Sequence, residues 1–267
     1  MGKTATALTI AGSDSGGGAG IQADLKTFSA LGVFGTSALT AITAQNTLGV
    51  TAIAPVPDDV ITAQIKAVLD DIGADAIKIG MLGTAGVVLT VAVALARYTG
   101  PVVLDPVMVA KSGDALLAEE AIAALRAHLL PRADLLTPNL PEAARLLDTG
   151  VAHSAEEVVA QGHALLALGA KAVLMKGGHA DGPICIDRLI TAQTITELSA
   201  PRVATRNTHG TGCTLSSAIA ANLALGLPLI EATRRAHEWL HHAIVAADSL
   251  GIGAGHGPVH HFHAVWA

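Results

Sequence analysis

An α/β fold with a mainly parallel central sheet and helices on both faces is predicted by one pattern above all: short β-branched runs alternate with longer Ala- and Leu-rich segments. Two facts of composition agree. Hydrophobic residues make up 51% of the 267 residues and charged ones 14%, yet aromatics only 2%, so the core must be built from Ala, Val, Leu and Ile packed between layers. No linker, repeat or break in composition divides the chain, and residues 1–267 read as one domain.

The elements follow in order. TALTIAG, from Thr6, is an apolar run ended by glycine and reads as the first strand; Ile21 to Leu31, closed by Gly32, reads as the first helix. SALTAIT, from Ser37, reads as the next strand. A helix is expected after Pro57-Asp58-Asp59, whose acids suit a helix start, and others after Ser112-Gly113-Asp114 and after Ser154. AIKIGM, VVLD, DLLTPN and AVLMKGG read as further strands, and Thr214 to Leu225, closed by Gly226, as a late helix. From Ile184 to Leu198 the pattern turns to alternation, which predicts two antiparallel strands at one edge. In such sheets ligands gather at the carboxyl ends of the strands. Those ends carry Gly12-Ser13-Asp14, Gln45-Asn46, Gly80-Met81, Asp105-Pro106, Thr137-Pro138-Asn139 and Lys176-Gly177-Gly178, a density of polar and glycine residues that ordinary loops do not explain together.

Several function classes are excluded. The uncharged apolar run from Gly86 to Ala96 is too short for the ~20 residues of a spanning helix, so no membrane partner is expected. A net charge of −6 without a Lys/Arg run argues against nucleic acid. The start has no separate apolar segment with a cleavage site, and Cys185 and Cys213 stand in different contexts, which together read as a cytoplasmic chain in a reducing compartment.

Two glycine loops carry chemistry. Gly12 to Gly20, GSDSGGGAG, lies between strand and helix and is expected to offer backbone amides to a ligand. Gly18, Gly20 and Ala23 satisfy G-x-G-x-x-A, but no acidic residue stands between Leu25 and Pro57 to hold a ribose, which tells against a nicotinamide-dependent oxidoreductase. The second loop, Thr208 to Thr214, opens an Ala- and Ser-rich helix, so unpaired amides and the positive helix end converge into an anion hole. G-x-x-x-x-G-K-[ST] is absent, so phosphate bound here would be held without that arrangement. Taken alone, the loop serves equally as a connection that lets the helix pack closely.

AGSDSGGGAGIQADLKTF, TAQNTLGV, KIGML, LDPVMVAKSG, LLTPNLPEA, LMKGGH, NTHGTGCTLS and the terminal GHGPVHHFH occur in order over nearly the whole chain. In these motifs the sequence resembles the bacterial hydroxymethylpyrimidine and phosphomethylpyrimidine kinases of thiamine biosynthesis, within the ribokinase-like superfamily. The resemblance implies a three-layer ribokinase-like fold, a small-molecule pyrimidine substrate, ATP and Mg2+ as cofactors, and a homodimer. It implies Cys213 as catalytic base, with Gly210 and Gly212 contributing amides that stabilise the transferring phosphoryl group. A helix N-terminus is expected to lower that thiol's pKa. It implies Gln45, Asp24, Gly12, Met81 and Val107 as the pyrimidine pocket, Gln45 matching an aminopyrimidine edge with one donor and one acceptor. Lys176, Asn139 and Thr211 are implied at the ATP phosphates, and Asp105 and Glu142 at the magnesium ion. Each has a plain structural alternative: packing for Cys213, Met81 and Val107, an exposed helix acid for Asp24, a helix-terminus role for Glu142 and Asp105, a solvated strand end for Lys176.

His256, His260, His261 and His263 invite a metal reading, but no Cys or carboxylate lies nearby in sequence; they are expected to close the fold. Ser15 to Gly20 and Ala110 to Asp114 are the expected mobile segments. Two other functions remain open: pyridoxal or pyridoxine kinase, and a binding protein of the same fold without turnover.

Overall fold

The computed structural model describes residues 3–108, 118–178 and 182–266. Six strands, β1 (Thr6–Ala11), β2 (Phe34–Leu39), β5 (Ala76–Ile79), β6 (Val102–Leu104), β7 (Leu135–Leu136) and β8 (Ala172–Met175), pair in parallel. The alternating segment forms β9 (Ile184–Thr191) and β10 (Ile195–Pro201), antiparallel to each other, with β9 antiparallel to β8. The sheet order is β10-β9-β8-β7-β6-β5-β1-β2. The chain passes from β1 to β2 on one side and reaches β5 on the other, so the strand order reverses at β1, where parallel sheets open a crevice at their carboxyl ends.

Successive side chains on each strand enter opposite layers, as the pleat requires. Leu8, Ile10, Val102, Leu104, Leu136 and Val173 face α2 (Asp58–Ala67), α3 (Ala85–Ala94), α4 (Glu119–His128), α5 (Leu140–Leu147) and α6 (Ala155–Ala167). Ala7, Val103, Leu135 and Leu174 face α1 (Gly20–Ala30), α7 (Thr211–Ala224) and α8 (Leu229–Val245). The three-layer expectation therefore holds.

Three details differ from the sequence reading. SALTAIT is not one strand: the chain turns at Thr40, whose amide bonds Ala11 O and whose hydroxyl bonds Met81 O. Beyond it β3 (Ala41–Gln45) pairs with β4 (Val50–Pro55) as a separate antiparallel hairpin, so Gln45 does not sit on the main rim but above it. Helix α7 starts at Thr211 instead of Thr214, which places Cys213 within its first turn. The run from Gly86 to Ala96 falls largely in α3, capped by the Thr84 side chain; its Val-rich face conceals the helical period. Residues 110–114, expected to be mobile, lie outside the described residues, as do 112–114 before α4. No helix among the described residues is long and apolar enough to cross a membrane.

Candidate active site

The carboxyl ends of β6, β7 and β8 bring three charges together. Lys176, just beyond β8, places its Nζ 2.9 Å from Asp105 Oδ1 and 3.8 Å from Glu142 Oε2. Asp105 is buried and also accepts from the Thr137 hydroxyl at 3.2 Å. Burial alone would raise its pKa, but Lys176 and Lys78 outweigh it and hold the carboxyl below its usual range. Lys176 loses solvation, yet Asp105 and Glu142 keep it protonated above its ordinary range. Glu142 is pushed up to about 7, by burial against the pull of Lys176, with the charge of Asp105 adding to the rise.

Asn139 and Glu142 are linked locally. Asn139 Oδ1 accepts from the Glu142 amide and Glu142 Oε2 accepts from the Asn139 amide, both at 2.8 Å, a capping box that starts α5. One Glu142 oxygen is thus aimed by the helix start toward the Lys176–Asp105 pair.

The first turn of α7 lies against the same pair. A Cβ added at Gly212 would stand 3.4 Å from Lys176 Nζ and 3.5 Å from Asp105 Oδ2. The amides of Gly212 and Cys213 fall in the helix's first turn, where no intrahelical carbonyl is available to them. Thr211 donates its amide back to Thr208 O at 3.3 Å. Gly210 has φ 78°, and a Cβ there would fall 1.8 Å from Gly18 O, so the two glycine loops touch.

Cys213 departs from expectation. Burial pushes its thiol up to about 11, more than Lys78 and the Gly20 amide pull it down; Asp24 and Asp105 push the same way as burial. Desolvation outweighs Lys78 and the Gly20 amide, so the thiolate that the sequence led one to expect at neutral pH is disfavoured in the free site.

The first glycine loop also differs. Its amides do not wait for a ligand: Asp14 accepts from Gly16 at 2.8 Å, Gly18 at 3.0 Å and Ala19 at 2.8 Å. The same carboxylate stands 2.8 Å from His209 Nε2. Burial raises its pKa, but His209 and these amides more than offset that and leave it low.

Among the expected pocket residues, Asp24 must be corrected on both counts. It is neither an exposed helix acid nor a free pocket wall: it is fully buried, 2.9 Å from Lys78 Nζ, and accepts from Thr9 and Ser217 hydroxyls at 2.6 Å each. With both oxygens engaged, direct substrate contact does not fit. Met81 lies over Gly12, where a Cβ would meet its Cε at 2.4 Å, and its carbonyl is taken by Thr40. The Val107 amide is taken by Asp105 O. Apolar contact remains for both; the Val107 amide is already used, whereas the Met81 carbonyl keeps a second lone pair. Gln45 hangs from the hairpin over the crevice, its Nε2 3.5 Å from His209 Nε2 and its Oε1 3.3 Å from the Thr43 hydroxyl. A surface pocket lined by Gln45, Asn46, Leu48, His209 and His256 opens there.

A family model described as "Phosphomethylpyrimidine kinase" matches residues 14–260. The chain belongs to that family. This phosphomethylpyrimidine kinase family member is 56% identical to the hydroxymethylpyrimidine/phosphomethylpyrimidine kinase of Rhizobium meliloti (strain 1021), over 98% of this chain and 99% of that protein. It is 52% identical to the protein of the same name from Escherichia coli (strain K12), over 99% and 100%. Among solved structures, Bacillus subtilis pyridoxal kinase with ADP aligns with TM-score 0.90 at 37% identity, covering 99% of this chain and all of that one. The phosphomethylpyrimidine kinase of Clostridium difficile 630 aligns at 0.80 and 44% identity, covering 91% and 100%.

Asp14, Lys78, His209 and Ser217 were not singled out from sequence. A signal existed for Lys78, since a lysine amid the apolar run AIKI demands a buried partner. For Asp14 the signal was an acid opening a glycine loop, a habitual acceptor of nearby amides. His209 carried none beyond its place in the NTHGTGCTLS run, and Ser217, the residue after that run, carried none.

Proposed function

We propose that the protein transfers a phosphoryl group from ATP to 4-amino-5-hydroxymethyl-2-methylpyrimidine and then to the resulting monophosphate, giving the pyrophosphate used in thiamine biosynthesis. The observation that carries the reaction class is the meeting of the α7 N-terminus with Lys176 and Asp105 at the strand ends. Phosphoryl transfer is catalysed by positioning and charge stabilisation, and this arrangement supplies amide donors and a cation around one point. The choice of substrate rests on near full-length identity to kinases of that name.

In this reading Gln45 meets the aminopyrimidine edge from above, Met81 and Val107 give apolar contact beside Gly12, and the Gly210, Gly212 and Cys213 amides with the Thr211 side chain hold the phosphoryl group. Lys176 faces the ATP phosphates, and Asn139 aims Glu142. ATP use agrees with neighbouring pyridoxal kinases solved with ADP and with AMP-PCP. Asp105 and Glu142 fit a hydrated Mg2+: it uses few protein carboxylates, and burial raises the Glu142 carboxyl to about 7, which a bound cation would offset. Among the described residues no larger cluster of metal-binding side chains exists. When bound, the ion would screen phosphate charge. The small thiolate fraction of Cys213 accepts the proton of the substrate hydroxyl as its oxygen attacks phosphorus; a base of high pKa is scarce at neutral pH but strong once formed.

A homodimer is part of the proposal. Ile42, Ala44, Ala52 and Ala54 share one face of the β3–β4 hairpin and are exposed, an apolar patch that a second copy would cover. Both cysteines are free thiols, in keeping with a cytoplasmic setting.

A second reading, phosphorylation of pyridoxine or pyridoxal, is favoured by the TM-score of 0.90 to a pyridoxal kinase. ADP release measured with the hydroxymethylpyrimidine and with pyridoxine separately decides between them. A higher kcat/KM for the pyrimidine is expected; preference for pyridoxine would replace the proposal.

A further inference from the structure

The terminal motif GHGPVHHFH has no part in the chemistry above, yet its first residues lie between the two halves of the site. On one side they hold the hairpin tip. The His256 amide donates to Thr47 O at 2.9 Å and the Gly255 amide to Thr47 Oγ1 at 3.2 Å. Contact is close enough that a Cβ on Gly255 would fall 2.0 Å from Thr47 O. On the other side the same segment holds the loop that leads into α7. The Gly257 amide donates to Asn207 Oδ1 at 3.0 Å, and Gly257 O accepts from the His209 amide at 3.0 Å. A Cβ on Gly257 would meet Asn207 Oδ1 at 2.4 Å.

Thr47 is two residues from Gln45, and His209 immediately precedes Gly210. The β3–β4 hairpin belongs to no larger sheet, and a two-stranded ribbon has little stability of its own. Gln45 is held on its strand side by the Ser15 hydroxyl, which donates to Gln45 O at 2.7 Å and accepts from its amide at 2.8 Å; the tip just beyond it depends on the chain-end contacts to keep that end of the hairpin at a fixed height over the phosphoryl-transfer loop. Downstream, the motif is itself anchored: Val259 is fully buried, and His261 Nε2 lies 3.0 Å from Thr214 Oγ1 on α7. Burial drives the His261 pKa down to about 3, so this anchor stays neutral and pH-independent over the working range.

We propose that Gly255, Gly257 and Thr47 are positioning residues: through residues 255–257 the chain end ties the pyrimidine-reading hairpin to the anion-binding loop and sets the distance between the bound ring and the transferring phosphoryl group. The inference rests on the function proposed above for Gln45 and for the α7 loop. Its hydrogen bonds are main-chain donors on glycines and a histidine, so sequence chemistry matters here through the absence of side chains.

Steady-state kinetics of the full chain carrying Gly255→Val tests this, read beside backbone hydrogen exchange of the ligand-free protein. The expected result is a pyrimidine KM raised about tenfold or more with the ATP KM within about twofold, since only the ring-reading half is released. Exchange should quicken across residues 45–50. Thr47→Val should show the same split more weakly, and Thr47→Ser, which keeps the acceptor oxygen, should restore it; this pair decides the matter if the glycine variant fails to fold. Both KM values moving together, or neither moving while only thermal stability falls, would overturn the proposal. A wild-type protein that does not phosphorylate the pyrimidine would refute the function instead, and the exchange data would still judge the tie: unchanged exchange at 45–50 in both Gly255→Val and Thr47→Val refutes it.

Discussion

Cys213 decides the character of the site at the scale of single residues, because its surroundings push the thiol up to about 11 instead of down. If the thiolate is the base, kcat should climb about tenfold per pH unit between roughly pH 7 and 9, following the scarce ionised fraction. A flat profile would remove Cys213 from that role. Cys213→Ala should abolish turnover while calorimetry still detects pyrimidine binding, since the pocket walls are elsewhere. Beneath it, Lys78 and Asp24 form a fully buried ion pair at 2.9 Å. Removing one partner leaves a charge without compensation, so Lys78→Met should cost about 3–5 kcal/mol in urea unfolding, and Asp24→Asn a comparable amount. A loss under about 1 kcal/mol would show that water reaches the remaining charge. Glu142 gives a pH signature. Its carboxyl binds a proton more tightly folded than unfolded, so the stability it contributes is fully present below about 4.5 and is lost as pH rises through about 7. Glu142→Gln should flatten the wild-type decline across that window, a change on the order of 3 kcal/mol by chemical denaturation; an unaltered decline would place the titration on another group.

At the scale of elements, the parallel strands, the edge pair β9–β10 and the helices opened by Ser154 or closed by glycine were legible, because each has a local cause in period or cap. The hairpin was not. SALTAIT is continuous in β propensity, and what divides it is Thr40, pinned by Ala11 and Met81 from distant parts of the chain. The Gly12 to Gly20 loop was recognised as a binding element but its amides were misassigned, since only the fold shows that Asp14 fills them. The contact between the two glycine loops yields a test at this scale. Gly210→Ala places a Cβ 1.8 Å from Gly18 O in left-handed backbone, so the loops must part. Turnover should fall at least about tenfold, a misplacement of the phosphoryl-binding turn being costly even when small. Retained turnover would mean that the loops need not touch for catalysis.

The whole molecule sets these parts on one rim: five of the parallel strands deliver Gly12, Met81, Asp105, Asn139 and Lys176 to the same edge, and α7 and the hairpin lie beside it. The rim residues were legible from strand ends alone; their mutual distances were not, because spacing along the chain carries no information on which strands become neighbours. The exposed apolar face of the hairpin makes the dimer testable by sedimentation: Ile42→Asp should give a monomer, and an unchanged mass would move the interface elsewhere. The most direct test of the account is a phosphorus NMR time course of the purified protein with Mg-ATP and 4-amino-5-hydroxymethyl-2-methylpyrimidine. Signals of the monophosphate and then the pyrophosphate, rising as ADP appears, are the predicted result; ATP left intact, or consumed only when pyridoxine is supplied, would contradict it.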